Sequence, residues 1–299
     1  MSAGASVLFD APGPRARIRN QIYSVIAIVA VLALGWVFYR GFADKGQFTA
    51  EKWKPFVEAD VWKTYLLPGL RGTLVAALLS IVFALVIGMV FGILRLSDHR
   101  LVRWVAGVIV EVARAIPVLI LMIFLFYVFS DYKVFKVDQL ALWAVVIALI
   151  IYNGSVIAEI VRAGIKSLPK GQTEAAVALG LRKGQLMRLI LLPQAITAML
   201  PALISQMVVA LKDSALGYQI TYLEIVRQGS QLGAAERNTV PALMIVAVVM
   251  ILLNSTLTIV ANKVEQRLRS RKRARGAAVV AADSILTDAT PGMDITQKP

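Results

Sequence analysis

Charged side chains fall inside or at the ends of long apolar runs, among them Glu111, Arg114, Glu159, Arg162, Lys212 and Asp213, with Ser214 next to the last of these. A charge at mid-membrane costs roughly 2.5–3.5 kcal/mol on insertion scales, so it faces a cavity, a water path or an opposite charge. Arg114 or Lys212 lining a path would suit an anionic ligand. Equally, Glu159 with Arg162, and Lys212 with Asp213, can neutralise each other near the ends of their runs. The residues leave both readings open. Pro117 lies three positions after Arg114 and can bend its helix or free a backbone carbonyl. Enzyme chemistry finds little to work with. The chain has no cysteine and one histidine, His99. No histidine–glutamate metal pair or Gly-x-Ser-x-Gly elbow occurs, and the adjoining Asp213 and Ser214 have no evident base.

The runs themselves set the architecture. Of 299 residues, 58% are hydrophobic, and the mean hydropathy is +0.72. A spanning helix needs about 20 mostly apolar residues. Six such spans are expected, at 21–39, 68–94, 104–129, 140–161, 189–211 and 240–262. In lipid the backbone must satisfy its own hydrogen bonds, so these are helices, and strand alternation is absent. The class is an all-α integral membrane protein. The first run follows Arg15, Arg17 and Arg19 without a small-residue cleavage site and reads as an uncleaved anchor. Trp36, Trp104 and Trp143 stand near span ends as interfacial anchors. Gly88 and Gly92 read as helix packing. Pro201 and Pro241 read as kinks.

The net charge is +14, and its placement gives orientation. With the N-terminal segment 1–20 inside, twenty of the 32 Lys and Arg lie on the inner side and nine on the outer. The positive-inside rule then places both termini in the cytoplasm of a multi-pass plasma-membrane protein. The outer loop 40–66 balances its cations with Asp44, Glu51, Glu58 and Asp60. The tail 263–299 carries Arg271, Lys272, Arg273 and Arg275, a topology anchor against anionic lipid with disorder expected beyond it, and no nucleic-acid role. The outer segment 216–237, with Tyr218, Tyr222, Glu224 and Arg227, is expected to hold a short amphipathic helix at an outer gate.

The inner loop 162–188 is mildly apolar, which is odd for a connector. Pro169 and Gly171 break the incoming helix. Thr173 can cap a new helix, with Glu174 in its first turn. Ala175, Ala176, Ala178 and Leu179 give it a small apolar surface, and Gly180 is placed to end it. A second helix then leads through Met187 to Pro193. A solvated hairpin between spans would use the same residues.

Glu174-Ala175-Ala176, Gly180, Ile190, Leu192 and Pro193 resemble the "EAA" loop of binding-protein-dependent ABC importer permeases. The segments Arg114-Ala-Ile-Pro-Val-Leu, Ala158-Glu-Ile-Val-Arg-Ala-Gly, Leu192-Pro-Gln-Ala and Leu211-Lys-Asp-Ser resemble the polar amino-acid branch, of the histidine and glutamate type. The general character is most similar to actinobacterial glutamate permease subunits. The likeness covers about residues 69–262. Ala115 and Ile116 replace a usual glycine and threonine, and Arg182-Lys183 replaces a serine-containing helix start.

The resemblance implies the six-span type I (MetI-like) importer fold and carriage of a polar amino acid, glutamate first. It implies a dimer with a second, related permease or a second copy, two ATPase subunits and an extracellular solute-binding protein, a lipoprotein. ATP and Mg2+ would be bound by the ATPase, because this chain has no Walker A segment. The loop helix would dock on that ATPase, and the substrate path would draw on Arg114, Pro117, Glu159, Arg162, Lys212, Asp213 and Ser214. The competing reading is an ion-gradient-driven secondary transporter or channel, supported by the same intramembrane charges. No visible internal repeat accompanies it.

Overall fold

A computed structural model describes residues 13–288, with side chains described through residue 267. The ends of the N-terminal segment and of the basic tail, 1–12 and 289–299, lie outside the described residues. The chain divides into two units, 1–58 and 59–299.

In the first unit, α1 (Pro14–Asp44) starts on a proline, whose missing N–H costs nothing in a first turn. None of its residues is buried, so its apolar surface is left to lipid or another helix. Arg40 lies over the Trp36 ring at 5.4 Å. Tyr39 stacks on Phe48 at 5.4 Å. Trp53 Nε1 donates to the Gln47 carbonyl at 2.9 Å, anchoring α2 (Ala50–Trp53) and the 3-10 turn Lys54–Val57.

The second unit begins with α3 (Ala59–Val61) and a π turn, Trp62–Leu66, leading into α4 (Leu67–Leu94). A second π turn, Leu186–Leu191, leads into α10 (Leu192–Asp213). Each π turn ends two residues before a proline, Pro68 or Pro193. Proline has no N–H to give to the carbonyl four residues back, and the widened turn accommodates the break. Between them run α5 (Arg100–Ala115), α6 (Val118–Asp131), α7 (Val137–Lys166), α8 (Lys170–Ala178) and α9 (Lys183–Gln185). After α10 come a 3-10 segment, Ser214–Ile220, then α11 (Ile225–Ala235) and α12 (Thr239–Asp288).

The third expected span is not one straight helix. α5 and α6 meet at 97°. Pro117 forces the residue before it out of helical geometry, and Ile116 is extended, with ψ at 123°. Among the described residues five helices are long and apolar enough to cross a membrane, six if the bent pair counts as one span. The protein is a multi-pass membrane protein. α12 continues as helix to Asp288, into the segment expected to be disordered. Residues 271–288 contain nine good helix formers of the alanine, leucine or arginine type and no proline, which sustains the backbone pitch.

α7 is the central helix, and α4 packs along it through small residues. A Cβ on Gly88 would lie 2.5 Å from Ile157 Cγ2 and 2.8 Å from the Gly154 carbonyl. One on Gly92 would lie 2.6 Å from Val161 Cβ. The two glycines are packing positions, and close backbone approach replaces the hydrophobic drive that lipid cannot supply. α10 joins α7 by a part-buried polar contact, Gln206 Nε2 donating to Asn153 Oδ1 at 2.7 Å.

Candidate functional site

The loop between α7 and α10 forms α8, but earlier than the sequence suggests. Pro169 occupies the cap position, and the helix starts at Lys170. Thr173 is therefore interior, and Glu174 sits past the first turn. Pro169, with φ at −56° and no N–H to satisfy, fits a helix start better than Thr173 does. The end is as Gly180 requires. Gly180 has φ at +73°. Its N–H donates to the Val177 carbonyl at 2.9 Å, and the Leu181 N–H to the Ala176 carbonyl at 3.1 Å, a Schellman closure. Ala176 is 2% exposed and packs with Ile165, Leu186, Leu191 and Ala195. Glu174 and Ala175 are exposed, as are Val177 at 61% and Leu179 at 81%. One residue thus seats α8, and its other face offers apolar surface with small side chains. Ile190 and Leu192 are half-buried and Pro193 exposed, on the π turn and first turn that carry the loop into α10.

The second helix start departs from the serine pattern and uses other groups. The Arg182 N–H donates to Gln185 Oε1 at 2.9 Å. Lys183 Nζ donates to the Leu96 carbonyl at 2.9 Å and pairs with Asp98. The loop is thereby held to the turn between α4 and α5.

At the start of that turn, Arg95 organises a cluster of five charges. Its Nη1 lies 2.7 Å from Glu159 Oε2 and its Nη2 2.8 Å from Glu111 Oε1. Arg114 Nη2 reaches Glu111 Oε2 at 2.8 Å. Arg162 Nε lies 3.0 Å from Glu159 Oε2, and its Nη2 also meets the second oxygen. Three cations face two carboxylates across α4, α5 and α7. The geometry brings Arg114, Glu159 and Arg162 together and leaves one positive charge in excess. An open cleft of about 410 Å³ borders it, lined by Glu111, Arg114, Ala115, Tyr152 and Val156. Arg114 takes no other hydrogen bond among the described residues. Pro117 sits just beyond, at the break that ends α5.

Lys212, Asp213 and Ser214 are elsewhere. The 3-10 segment they enter packs on Val145, with a Cβ on Gly217 falling 2.9 Å from Val145 Cγ2. Val145 and Glu159 are separated by about 21 Å along α7 at 1.5 Å per residue. Lys212 is exposed, Asp213 half-buried and Ser214 buried, its Oγ donating to the Leu211 carbonyl at 2.7 Å. No ion pair within 4 Å joins Lys212 to Asp213 among the described residues, since neighbouring helical residues point to different faces.

The segment expected to carry one amphipathic helix is the 3-10 piece, a turn at Thr221 with φ at +63°, and α11. Glu224 caps α11, accepting from the N–H groups of Val226 at 2.8 Å and Arg227 at 2.6 Å. Its side chain is fully buried, and burial pushes its carboxyl up to about 7 against those two donors. Tyr222 Oη donates to the Gly72 carbonyl at 2.8 Å. The Ile225 N–H donates to Thr73 Oγ1 at 3.1 Å. A Cβ on Gly72 would meet the Leu223 carbonyl at 2.0 Å. α11 is therefore locked onto the start of α4. Sequence reasoning missed Arg95, which reads as an ordinary loop cation, and the Asn153–Gln206 pair, whose only signal is two amides inside apolar runs.

A metal site has no basis in this arrangement: among the described residues no group of three His, Cys, Asp or Glu side chains gathers. The family "Binding-protein-dependent transport system inner membrane component" matches residues 80–270. The chain is 56% identical over 228 residues to the "Glutamate transport system permease protein GluD" of Corynebacterium glutamicum, covering 76% of this chain and 84% of that one. It is 33% identical over 206 residues to the "Arginine transport system permease protein ArtQ" of Bacillus subtilis, covering 69% and 93%. Among solved structures it is similar to the "Crystal structure of an amino acid ABC transporter with histidines", with TM-score 0.62, 28% identity and coverage of 68% and 93%. It also matches an inward-facing MetNI methionine ABC transporter, with TM-score 0.61, 22% identity and coverage of 71% and 99%.

The fold is thus the all-α, multi-span fold of MetI-like ABC importer permeases. The chain belongs to the binding-protein-dependent inner membrane components, within the polar amino-acid permeases. Permease subunits of such importers are not catalytic. They work with a separate ATPase subunit and a solute-binding protein.

Proposed function

We propose that this chain is the permease through which an ATP-driven importer carries L-glutamate into the cell. The observation that carries the reading is the 56% identity over 228 residues with the glutamate permease protein GluD. The cluster supports it: three cations against two carboxylates leave a site beside the cleft that favours an anionic substrate, with Arg114 the member facing it. Lys212, Asp213 and Ser214 would serve the opposite end of the path. Both termini are cytoplasmic, which puts α8 and the basic end of α12 on the same face, in agreement with the excess of Lys and Arg there. α8, with Glu174, Ala175 and Gly180, is the contact for the ATPase, and Ile190, Leu192 and Pro193 carry its movement into α10. The complex holds a second, related permease or a second copy of this chain, and its binding protein is a lipoprotein.

The test is uptake of labelled L-glutamate into proteoliposomes holding the chain with its ATPase and binding protein. Uptake should require ATP and both partners. Uptake of equal rate by the chain alone, driven by an ion gradient, would overturn the reading. Saturable binding of arginine but not glutamate by the binding protein would overturn the substrate.

A further inference from the structure

We infer that the turn 95–98 is a relay between the ATPase-contacting loop and the charge cluster beside the cleft, with Lys183 as its input and Arg95 as its pivot. This rests on the reading of α8 as the ATPase contact. The turn receives two kinds of grip at adjacent residues. From the loop, Lys183 holds the Leu96 carbonyl at 2.9 Å and the Asp98 carboxylate, 87 and 85 positions away in sequence. From the helices, Arg95 spreads its guanidinium between Glu159 on α7 and Glu111 on α5. Its side chain is only 13% exposed, so it is held in place, where Lys183 and Asp98 are open to water.

The turn itself is stiff. The Arg95 N–H donates to the Phe91 carbonyl at 3.0 Å, Leu96 to Ile93 at 2.9 Å and Ser97 to Leu94 at 3.1 Å. Arg103 Nη1 closes the other side on the Ser97 carbonyl at 2.6 Å. A pull on residues 96–98 therefore moves Arg95 as part of a closed unit. Moving Arg95 must lengthen its contact with α5 or with α7, because one planar fork serves both. The Glu111–Arg114 pair lines the cleft, so the spacing of α5 from α7 sets the cleft's width. Hydrophobic packing between α8 and α10 also transmits motion, but it gives no direct path to α5. The lysine at 183 is one of the two residues that depart from the family's helix start, so the structure gives that departure a partner.

The experiment uses the complete importer in proteoliposomes and reads ATP hydrolysed per glutamate imported. Lys183→Glu should raise that ratio about fivefold or more, and the double variant Lys183→Glu/Asp98→Lys should restore it. Arg95→Lys, which keeps the charge but cannot fork, should raise it as Arg95→Gln does. Each variant is first checked for retained ATPase subunit on purification and for unchanged thermal unfolding in detergent, which separates relay from folding. Wild-type ratios in both Lys183→Glu and Arg95→Lys, with the ATPase bound, would overturn the relay and leave the α8 contact standing. A raised ratio that the charge swap does not restore would also overturn it. A several-fold loss of glutamate uptake per ATP in Gly180→Val is the separate test of the contact.

Discussion

Gln206 on α10 donates a hydrogen bond of 2.7 Å to Asn153 on α7, and Asn153 in turn donates to the Leu149 carbonyl at 3.0 Å. Asn153 is fully buried, so this is the polar rivet between two spans. Gln206→Leu leaves the Asn153 oxygen without its donor and should lower stability by about 0.5–2 kcal/mol. The double variant Asn153→Leu/Gln206→Leu should regain most of that. Thermal unfolding in detergent, run as a double-mutant cycle, checks it. Equal loss in the single and double variants would argue against the pairing.

Gly88 is a contact rather than a hinge. Gly88→Val must push Ile157 and the Gly154 backbone away from α4 and should cost about 1–3 kcal/mol. Gly107→Ala, with nothing within 4 Å of its Cβ, should be neutral within about 0.5 kcal/mol. The comparison by detergent melting controls for any general effect of altering a spanning helix.

Gly180→Val places a branched side chain at φ +73°, where an L-residue is strained by about 1–2 kcal/mol. The closure of α8 should loosen while Ala176 stays seated. Expected are a well-folded permease and a several-fold loss of glutamate uptake per ATP. Alanine at Gly184, which is open, should leave coupling unchanged.

Glu224 predicts a pH dependence. Its ordinary value of 4.5 rises to about 7 through burial. The folded state then binds more protons than the unfolded chain between those values, so stability is highest below 4.5 and falls as pH rises to about 7. Glu224→Gln removes the titration and should flatten the melting temperature from pH 5 to 8. A melting temperature that rises over that range in the parent, and is unaltered in the variant, would contradict the assignment.

Much of the fold was legible because lipid leaves so few choices. A run such as 73–94, without a charge, can only be a helix in lipid, and Gly180 after a short alanine-rich stretch is well placed to end one. Pro117 announced a disturbance in the third span, but not that α5 and α6 would turn through 97°. A proline fixes one dihedral and denies one hydrogen bond, and the size of the bend is set by what α5 and α6 each pack against. The start of α8 was misplaced for a related reason. Thr173 is a good cap in isolation, and Pro169 won because the chain leaving α7 had already reached its break there.

The sequence by itself determined that long apolar helices follow one another, that Lys and Arg are spread unevenly between alternate loops, and that a short helix ends at Gly180, since each is written in contiguous residues. Only the tertiary structure decided which charges meet. Glu159 and Arg162 are one helical turn apart and pair as expected, yet Arg95 joins them from 64 positions away and brings Glu111 and Arg114 into the same cluster. Lys212 and Asp213 are adjacent and do not pair. Ion pairs depend on where helix faces point once α4, α5 and α7 have packed, and sequence distance carries no information about that.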